Sequence, residues 1–242
     1  MARPSALKCK SCSPKVAAGR LGAVVVAAGS SRRMGFDKLT ALLGGQPLVV
    51  HSLAAFQACS EVESIVLVCS AERLAEFADF ARPFSKITQV VAGGAERVES
   101  VLMGVAALAQ DAPEFVAVHD GARPLITPEA ITACYVAAGE HGASVSAEPV
   151  TDTLHRTDAE GLCLETVSRQ NLWRMQTPQV LKLTVVRELL EAARIEGGAV
   201  TDEISLLIRS GGAAKIVENP SWNFKVTYPR DLELAELILQ QR

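Results

Sequence analysis

A basic, glycine-containing loop follows the first apolar run of the chain. Residues 23–28 are apolar and partly β-branched, and the next ten residues bring Gly29, Arg33 and Lys38. A strand that ends in small residues leaves backbone N–H groups pointing outward beside fixed positive charge, which suits a polyphosphate. The spacing matches neither G-x-G-x-x-G nor G-x-x-x-x-G-K-[ST]. We therefore interpret the loop as a polyphosphate-binding element, with a basic surface turn as the alternative.

A carboxylate ends another apolar run. Residues 115–118 are apolar and lead into His119, Asp120 and, after a glycine and an alanine, Arg123. In open α/β sheets ligands bind at the carboxyl edge, where Asp120 would lie. A carboxylate placed there beside phosphates can contact magnesium or a ribose hydroxyl. The alternative is an aspartate that caps the next turn. We assign His119 to the strand, without a catalytic role.

Two glycines precede a predicted helix. Gly93 and Gly94 end an apolar run and permit a ligand to approach the backbone closely. Arg97 and Ser100 follow in the first turn of that helix, where residues three apart are neighbours. The alternative is an ordinary turn with a solvated helix start.

Strands and helices alternate along most of the chain, which indicates an α/β fold. Apolar runs predict strands over 64–69, 87–91, 115–120, 143–147, 214–218 and 224–227. Helical spacing predicts helices over 47–56, 74–80, 97–108 and 128–139, one that follows residues 171–179 and extends through Leu190, one from 201, and one from Pro229. In the last helix we expect an apolar stripe at Leu232, Leu234, Ala235, Leu237, Ile238 and Leu239.

Residues 150–168 differ from the rest of the chain. Partly alternating runs flank a turn at 158–161, which predicts a β-hairpin arm standing off the main sheet. Because a lone hairpin is marginally stable in water, we expect the arm to pack on another subunit.

Composition limits the function classes. The chain has 242 residues, 49% of them hydrophobic, and a net charge of -3, which argues against a general nucleic-acid binder. No apolar stretch approaches the roughly 20 residues of a membrane helix. We see no repeat or break in composition, and we predict one domain over 21–242 behind a disordered basic tail at 1–20.

The six cysteines are too dispersed for a disulfide framework, which favours a reducing compartment and a cytoplasmic protein. We expect Cys59, Cys69 and Cys134 to be core residues. Cys9 and Cys12 form a C-x-x-C pair without further zinc ligands, and we interpret them as tail cysteines.

Several motifs together carry a family resemblance. They are AAGSSRRMGFDK, GGAERVESV, VHDGARP, PVTDT, the stretch from Ser168-Arg169-Gln170 to Thr177-Pro178-Gln179, TDE and FKVTYPRDLELAE. Their order and spacing resemble the 2-C-methyl-D-erythritol 4-phosphate cytidylyltransferases of the non-mevalonate isoprenoid pathway, from about Gly22 to about Leu239. The first motif alone is less specific, because other nucleotidylyltransferases begin similarly.

The resemblance implies a Rossmann-like nucleotidyltransferase fold, with a mostly parallel sheet and helices on both faces. It also implies a homodimer joined by exchanged hairpin arms, and the use of magnesium with CTP. By resemblance, Arg33 and Lys38 stabilise the transition state at the α-phosphate, and Asp120 holds magnesium and ribose. The residues matched to CTP are Ala27, Ala28, Gly29, Gly94, Ala95 and Ser100, and those matched to the methylerythritol phosphate are Arg123, Thr153, Arg169, Thr177 and Lys225. Arg169 and Lys225 are expected to position the acceptor phosphate, with Arg169 reaching in from the partner's arm.

Three departures from the family pattern are a loop between Arg33 and Lys38 that is shorter than in some relatives, Gly121, where alanine is common, and Ser168, where aspartate is common. A phosphate of the acceptor would be the nucleophile, so no protein base is required. Two other functions remain open: a cytidylyltransferase for a pentitol phosphate such as ribitol 5-phosphate, and a non-catalytic nucleotide-sensing domain. The presence of Arg33, Lys38 and Asp120 counts against the second.

Overall fold

The computed structural model describes residues 19–29, 37–197 and 201–242. Its strands are β1 Leu21–Ala27, β2 Leu42–Leu43, β3 Gln46–Pro47, β4 Val62–Cys69, β5 Ile87–Ala92, β6 Phe115–Asp120, β7 Ala143–Pro149, β8 Leu154–Thr157, β9 Cys163–Val167, β10 Trp173–Lys182 and β11 Lys215–Glu218. Its α-helices are α1 Leu48–Ala58, α2 Leu74–Ala81, α3 Arg97–Leu108, α4 Pro128–His141, α5 Leu183–Glu196, α6 Glu203–Arg209 and α7 Pro229–Leu239, with 3-10 turns at Ala71–Arg73 and Ala109–Asp111.

Seven strands form one mixed sheet in the order β11-β7-β10-β6-β1-β4-β5. Neighbouring strands pair in parallel except at β10, which runs antiparallel to both β6 and β7. The predicted mostly parallel sheet is therefore confirmed. The carboxyl ends of β1 and β6 lie side by side, with Val26 opposite Asp120, so the loops that follow them share one edge.

Helices cover both faces of the sheet. Side chains of successive strand residues point to opposite faces, so neighbouring residues of one strand belong to different cores. In β1, Ala23 and Val25 belong to an apolar core that includes residues of α1, α2, α4 and α7. Val24 belongs to a second core that includes residues of α3, α5 and α6. This arrangement confirms the Rossmann-like fold with helices on both faces.

Glycine brings α3 close to the sheet. A Cβ at Gly104 would lie 2.5 Å from Val24 Cγ1 and 2.7 Å from Val68 Cγ2. The absent side chain lets the helix pack directly on β1 and β4, which places its first residue, Arg97, near the end of β6.

The predicted arm is present as a separate two-stranded antiparallel sheet, in which β8 pairs only with β9. Its turn exposes Leu162 and its outgoing strand exposes Leu164, at 66% and 63% of their surfaces. The predicted hairpin is therefore present, with its strands at Leu154–Thr157 and Cys163–Val167.

Three sequence-based assignments were wrong. Residues 173–182, which we placed ahead of a helix, form β10, and Pro178 is accommodated where the pairing with β7 shifts register between Met175 and Gln179. Residues 224–227 form no strand, because they lack a ladder partner and Val226 N donates a single bond to Ala122 O at 2.9 Å. In α7, Leu234 and Leu237 are exposed rather than part of a buried stripe.

The cysteines of the described residues are free thiols, and Cys59, Cys69 and Cys134 are buried, as predicted for core residues. Cys9, Cys12 and all but Gly19 and Arg20 of the predicted tail lie outside the described residues. In the part of the chain that the structure describes, every helix is too short or too polar to cross a lipid bilayer.

Candidate active site

The candidate site is centred on Asp120, the last residue of β6. Lys225 Nζ donates to Asp120 Oδ2 at 2.9 Å. Arg97 Nη2 lies 3.7 Å from Oδ1, and Arg123 Nε lies 3.9 Å from Oδ2. The Asp120 side chain keeps 13% of its surface exposed, so a single carboxylate lies among three cations at the edge of the sheet.

Electrostatics keep this carboxylate charged. Burial by itself would raise the pKa of Asp120, but Lys225, Arg97 and Arg123 together hold that pKa well below its usual range. Asp120 is therefore ionised throughout the physiological pH range and available as an anionic oxygen ligand.

Arg97 is hydrogen-bonded to Glu203, the last residue of the TDE motif. Arg97 Nη1 donates to Glu203 Oε1 at 2.5 Å and Nη2 donates to Oε2 at 3.1 Å. The Glu203 side chain is fully buried. Burial lowers the pKa of Arg97, but Glu203, followed by Asp120 and Asp202, more than reverses this and leaves the pKa above its ordinary value. Both residues lie in motifs of the family resemblance, GGAERVESV and TDE, but nothing in either motif indicates that the two side chains pair.

Backbone contacts fix the loop after β6. Arg123 Nη1 donates to Asn223 O at 2.8 Å, and Ser52 Oγ lies 3.2 Å from both Gly121 O and Arg123 O. A Cβ on Gly121 would lie 3.2 Å from Val26 O and from Val49 Cγ2, so an alanine there would require a small shift of its neighbours.

Thr177 and His119 support Asp120 from the core. Asp120 N donates to Thr177 Oγ1 at 3.1 Å, and Oγ1 lies 3.0 Å from His119 Nδ1. Burial lowers the pKa of His119 to about 3, so the imidazole is neutral. Its Nε2 lies 3.3 Å from Arg123 O, which can only accept, and we therefore assign the proton to Nε2. Nδ1 is then an acceptor, and the buried Thr177 hydroxyl donates to it.

Lys38 contacts the chain segment that carries Lys225. Its Nζ donates to Val226 O at 2.9 Å, next to Lys225 in the chain. Val226 N in turn donates to Ala122 O, so this segment links Lys38 to the loop after β6. Arg33 lies outside the described residues.

The residues predicted to hold CTP lie where β1 and β5 meet the start of α3. A Cβ at Gly93 would come within 2.8 Å of Ala28 Cβ and 2.6 Å of Ser100 Oγ, so these three residues are in close contact. Ser100 Oγ lies 3.4 Å from Gly94 O. Ala95 N donates to Glu99 Oε2 at 2.8 Å as part of the network at the start of the helix. Ala27 ends β1, and no atom of the described residues lies within 4 Å of the place where a side chain on Gly29 would stand.

Two predicted acceptor residues lie elsewhere in the chain's own structure. Thr153 immediately precedes β8, and Arg169, which follows β9, donates from Nη1 to Thr151 O. Both are exposed. The hydrogen bonds and ion pairs described for residues 19–29, 37–197 and 201–242 do not connect either residue to Asp120.

An open α/β sheet that carries three cations and one ionised carboxylate at its carboxyl edge suits the binding of phosphates, and the match to known proteins places the chain among the nucleotidyltransferases. Residues 21–241 match the IspD family, described as 2-C-methyl-D-erythritol 4-phosphate cytidylyltransferase, and the chain belongs to this family.

Relatives and solved structures agree with this assignment. The enzyme of that name from Halalkalibacterium halodurans is 38% identical over 223 residues, which is 90% of this chain and 96% of the relative. The one from Pelotomaculum thermopropionicum is 39% identical over 236 residues, covering 92% and 95%. A crystal structure of 4-diphosphocytidyl-2C-methyl-D-erythritol synthase from Anaerococcus prevotii superposes with a TM-score of 0.80 at 25% identity, covering 91% of this chain and 96% of that one. The cytidylyltransferase structure from Thermus thermophilus gives a TM-score of 0.74 at 28% identity, covering 90% and 98%.

Proposed function

We propose that this protein transfers the cytidylyl group of CTP to 2-C-methyl-D-erythritol 4-phosphate, releasing pyrophosphate and forming 4-diphosphocytidyl-2-C-methyl-D-erythritol. The observation that carries the proposal is the convergence of Lys225, Arg123 and Arg97 on Asp120 at the carboxyl edge of the sheet. Membership of the family and the names of its relatives specify the acceptor. They favour it over a pentitol phosphate, and they favour catalysis over nucleotide sensing.

The chemistry needs positioned cations more than it needs an acid or a base. An oxygen of the acceptor phosphate attacks the α-phosphorus of CTP, a new P–O bond forms, and the bond to the departing pyrophosphate breaks. That oxygen is already ionised at neutral pH, so no proton has to be removed. The protein must bring two anions together and stabilise the charge that develops at the α-phosphate. His119 has no part as a base, because it is buried and its two ring nitrogens face Thr177 Oγ1 and Arg123 O within the core.

Roles follow from position and from the family. Lys38 and Arg33 would stabilise the α-phosphate, while Arg123 and Lys225 would bind the acceptor phosphate. The backbone of Ala27, Ala28 and Gly29 would approach the triphosphate, and Gly94, Ala95 and Ser100 would hold base and ribose. Thr177 would act through Asp120, since its hydroxyl is already hydrogen-bonded within the core.

A divalent cation, magnesium, is also proposed. Within the described residues no group of three or more His, Cys, Asp or Glu side chains could hold a metal by itself. One ionised carboxylate at Asp120 nevertheless fits magnesium, which proteins commonly bind through one or two carboxylates together with substrate phosphates and water. When bound there, magnesium would neutralise phosphate charge and orient the triphosphate.

The functional unit is proposed to be a homodimer in which the arms are exchanged. Leu162 and Leu164 expose apolar surface on an arm whose two strands, in the described part of the chain, pair with each other and not with the main sheet. Thr153 lies on this arm and Arg169 directly follows it, and both would reach the partner's Asp120. We further propose that residues 21–242 form one domain, since a single sheet separates the two apolar cores, and that the dispersed cysteines belong to a cytoplasmic protein.

A coupled pyrophosphate assay tests the proposal. The purified protein is mixed with magnesium, each of the four nucleoside triphosphates, and either 2-C-methyl-D-erythritol 4-phosphate, ribitol 5-phosphate or no acceptor. We expect pyrophosphate only with CTP and the methylerythritol phosphate. Faster turnover of ribitol 5-phosphate would contradict the acceptor, and pyrophosphate release from no pair would contradict catalysis.

A further inference from the structure

Arg97 faces two carboxylates but is bonded to one of them. Its guanidinium makes a two-pronged contact with Glu203, at 2.5 Å and 3.1 Å. The same Nη2 lies 3.7 Å from Asp120 Oδ1, which is beyond ordinary hydrogen-bond distance. Glu203 therefore holds Arg97 close to Asp120 without a hydrogen bond between them.

The two oxygens of Asp120 consequently have different surroundings. Oδ2 accepts from Lys225 Nζ at 2.9 Å and has Arg123 Nε at 3.9 Å. Oδ1 faces Arg97 at 3.7 Å, and none of the hydrogen bonds described for Asp120 ends on it. Oδ1 is thus the oxygen whose lone pairs a further cation could use.

Glu203 is itself fixed in place by the sheet. Its side chain is fully buried. Asp202 caps the same helix end, accepting from Ser205 N at 2.7 Å, and the next residue, Ile204, donates from its backbone N to Gln179 Oε1 at 3.0 Å. Gln179 is a buried residue of β10, so the Glu203 carboxylate is attached to the same sheet that carries Asp120.

The geometry points to Glu203 as a positioning residue: by binding Arg97 it keeps the guanidinium off Asp120 Oδ1 and leaves that oxygen for the divalent cation. This inference rests on the proposed function, because it concerns the cation that the proposed reaction uses. Without the Glu203 charge, a shift of about 1 Å would bring Arg97 Nη2 to an ordinary hydrogen-bond distance from Oδ1. Charge-assisted bonds are about twice as strong as neutral ones, so Arg97 would then compete with the metal.

The test measures metal binding directly. Mn²⁺ is titrated into the full-length protein with CTP and no acceptor, and formation of the ternary complex is followed by water-proton relaxation; the Mg²⁺ dependence of pyrophosphate release is measured in parallel. Glu203→Gln keeps the shape and removes the charge. We expect it to raise the Mn²⁺ midpoint by about tenfold, the range for one charge-assisted bond. Glu196→Gln removes an exposed carboxylate bonded to Arg209 at 2.8 Å, and we expect it to leave the midpoint unchanged.

A double variant distinguishes an effect of Glu203 that acts through Arg97 from a general loss of structure at the site. In Arg97→Gln/Glu203→Gln the competing cation is gone, and we expect the midpoint to return to within about threefold of wild type. Glu203→Asp, which keeps the charge, should shift the midpoint less than Glu203→Gln. Should Glu203→Gln fail to fold in a thermal melt, the double variant decides by the same criterion.

An unchanged midpoint in a folded Glu203→Gln protein would overturn the inference. A double variant that binds Mn²⁺ about tenfold more weakly than wild type would also overturn it. If wild type itself forms no ternary complex and releases no pyrophosphate, the proposed function fails instead, so the two failures are distinguishable.

Discussion

Lys225 Nζ and Asp120 Oδ2 are 2.9 Å apart although 105 positions separate the two residues in the chain. The contact depends on the segment 224–227, which Val226 attaches to the loop after β6 through Ala122 O at 2.9 Å. Lys38 binds the same segment through Val226 O. Three distant motifs therefore meet at one edge of the sheet.

Lys225→Met should lower kcat/KM at least about 100-fold, the usual range for losing one preorganised donor in an active site. The loss should appear in the acceptor KM as well as in kcat, because the lysine would bind the acceptor phosphate. Steady-state kinetics with both substrates varied measure it. Lys182→Met, which removes an exposed lysine 3.8 Å from Glu114, is the control. Kinetics within threefold of wild type would remove Lys225 from the site.

Lys38→Ala should lower kcat by at least about 100-fold, because it removes charge expected at the α-phosphate. Lys86 offers a matched control, since its Nζ also donates to a backbone carbonyl, Cys59 O at 2.6 Å. Lys86 directly precedes β5, the edge strand of the sheet, and Asp120 ends β6 nearer its centre. Single-turnover rates with saturating CTP measure the chemical step. Equal losses in the Lys38 and Lys86 variants would show that both act through stability alone.

The stability of the protein should fall as the pH drops below about 6.5. Above that value His119 is neutral in both the folded and the unfolded chain. Below it the unfolded chain binds a proton, whereas burial keeps the folded His119 neutral until its pKa of about 3. The free energy of unfolding should therefore decrease by up to about 1.4 kcal/mol per pH unit in this window.

Urea denaturation at pH 7 and pH 5 checks this dependence. His119→Asn should flatten the slope whatever its effect on stability at pH 7. Asp120 contributes little to the change in the free energy of unfolding between pH 7 and pH 5. The carboxyl of an unfolded aspartate titrates near about 3.9, so Asp120 affects stability mainly at lower pH. An unaltered slope in His119→Asn would assign the pH dependence to other groups.

Replacing Leu162 and Leu164 together by lysine should dissociate the proposed dimer, because charged side chains would have to be buried at the arm contact. Light scattering should give the mass of a dimer for wild type and of a monomer for the variant. Activity should fall with the dimer if Arg169 is supplied by the partner. Leu42→Lys changes an equally exposed leucine outside the arm and should leave the mass unchanged. A monomeric wild type would contradict the dimer.

Local sequence patterns were sufficient to predict the elements whose burial follows a simple period. The apolar runs of β1, β4 and β6 and the start of α7 at Pro229 were predictable because period, length and capping act over a few residues. The pattern misled at β10, where Pro178 and a polar run hid a strand that is stabilised by pairing with β6 and β7. Pairing with distant strands leaves no local signal.

The sequence by itself determined the residue types of the site: an aspartate at the end of an apolar strand, small residues after another, and lysines and arginines in fixed motifs. Only the tertiary structure decided that Lys225, Arg97 and Arg123 surround one carboxylate, that Glu203 binds Arg97, and that Thr177 lies behind Asp120. The reason is physical. Residue type and spacing fix charge and local conformation, but a hydrogen bond between residues about 100 positions apart depends on how the sheet and its helices pack.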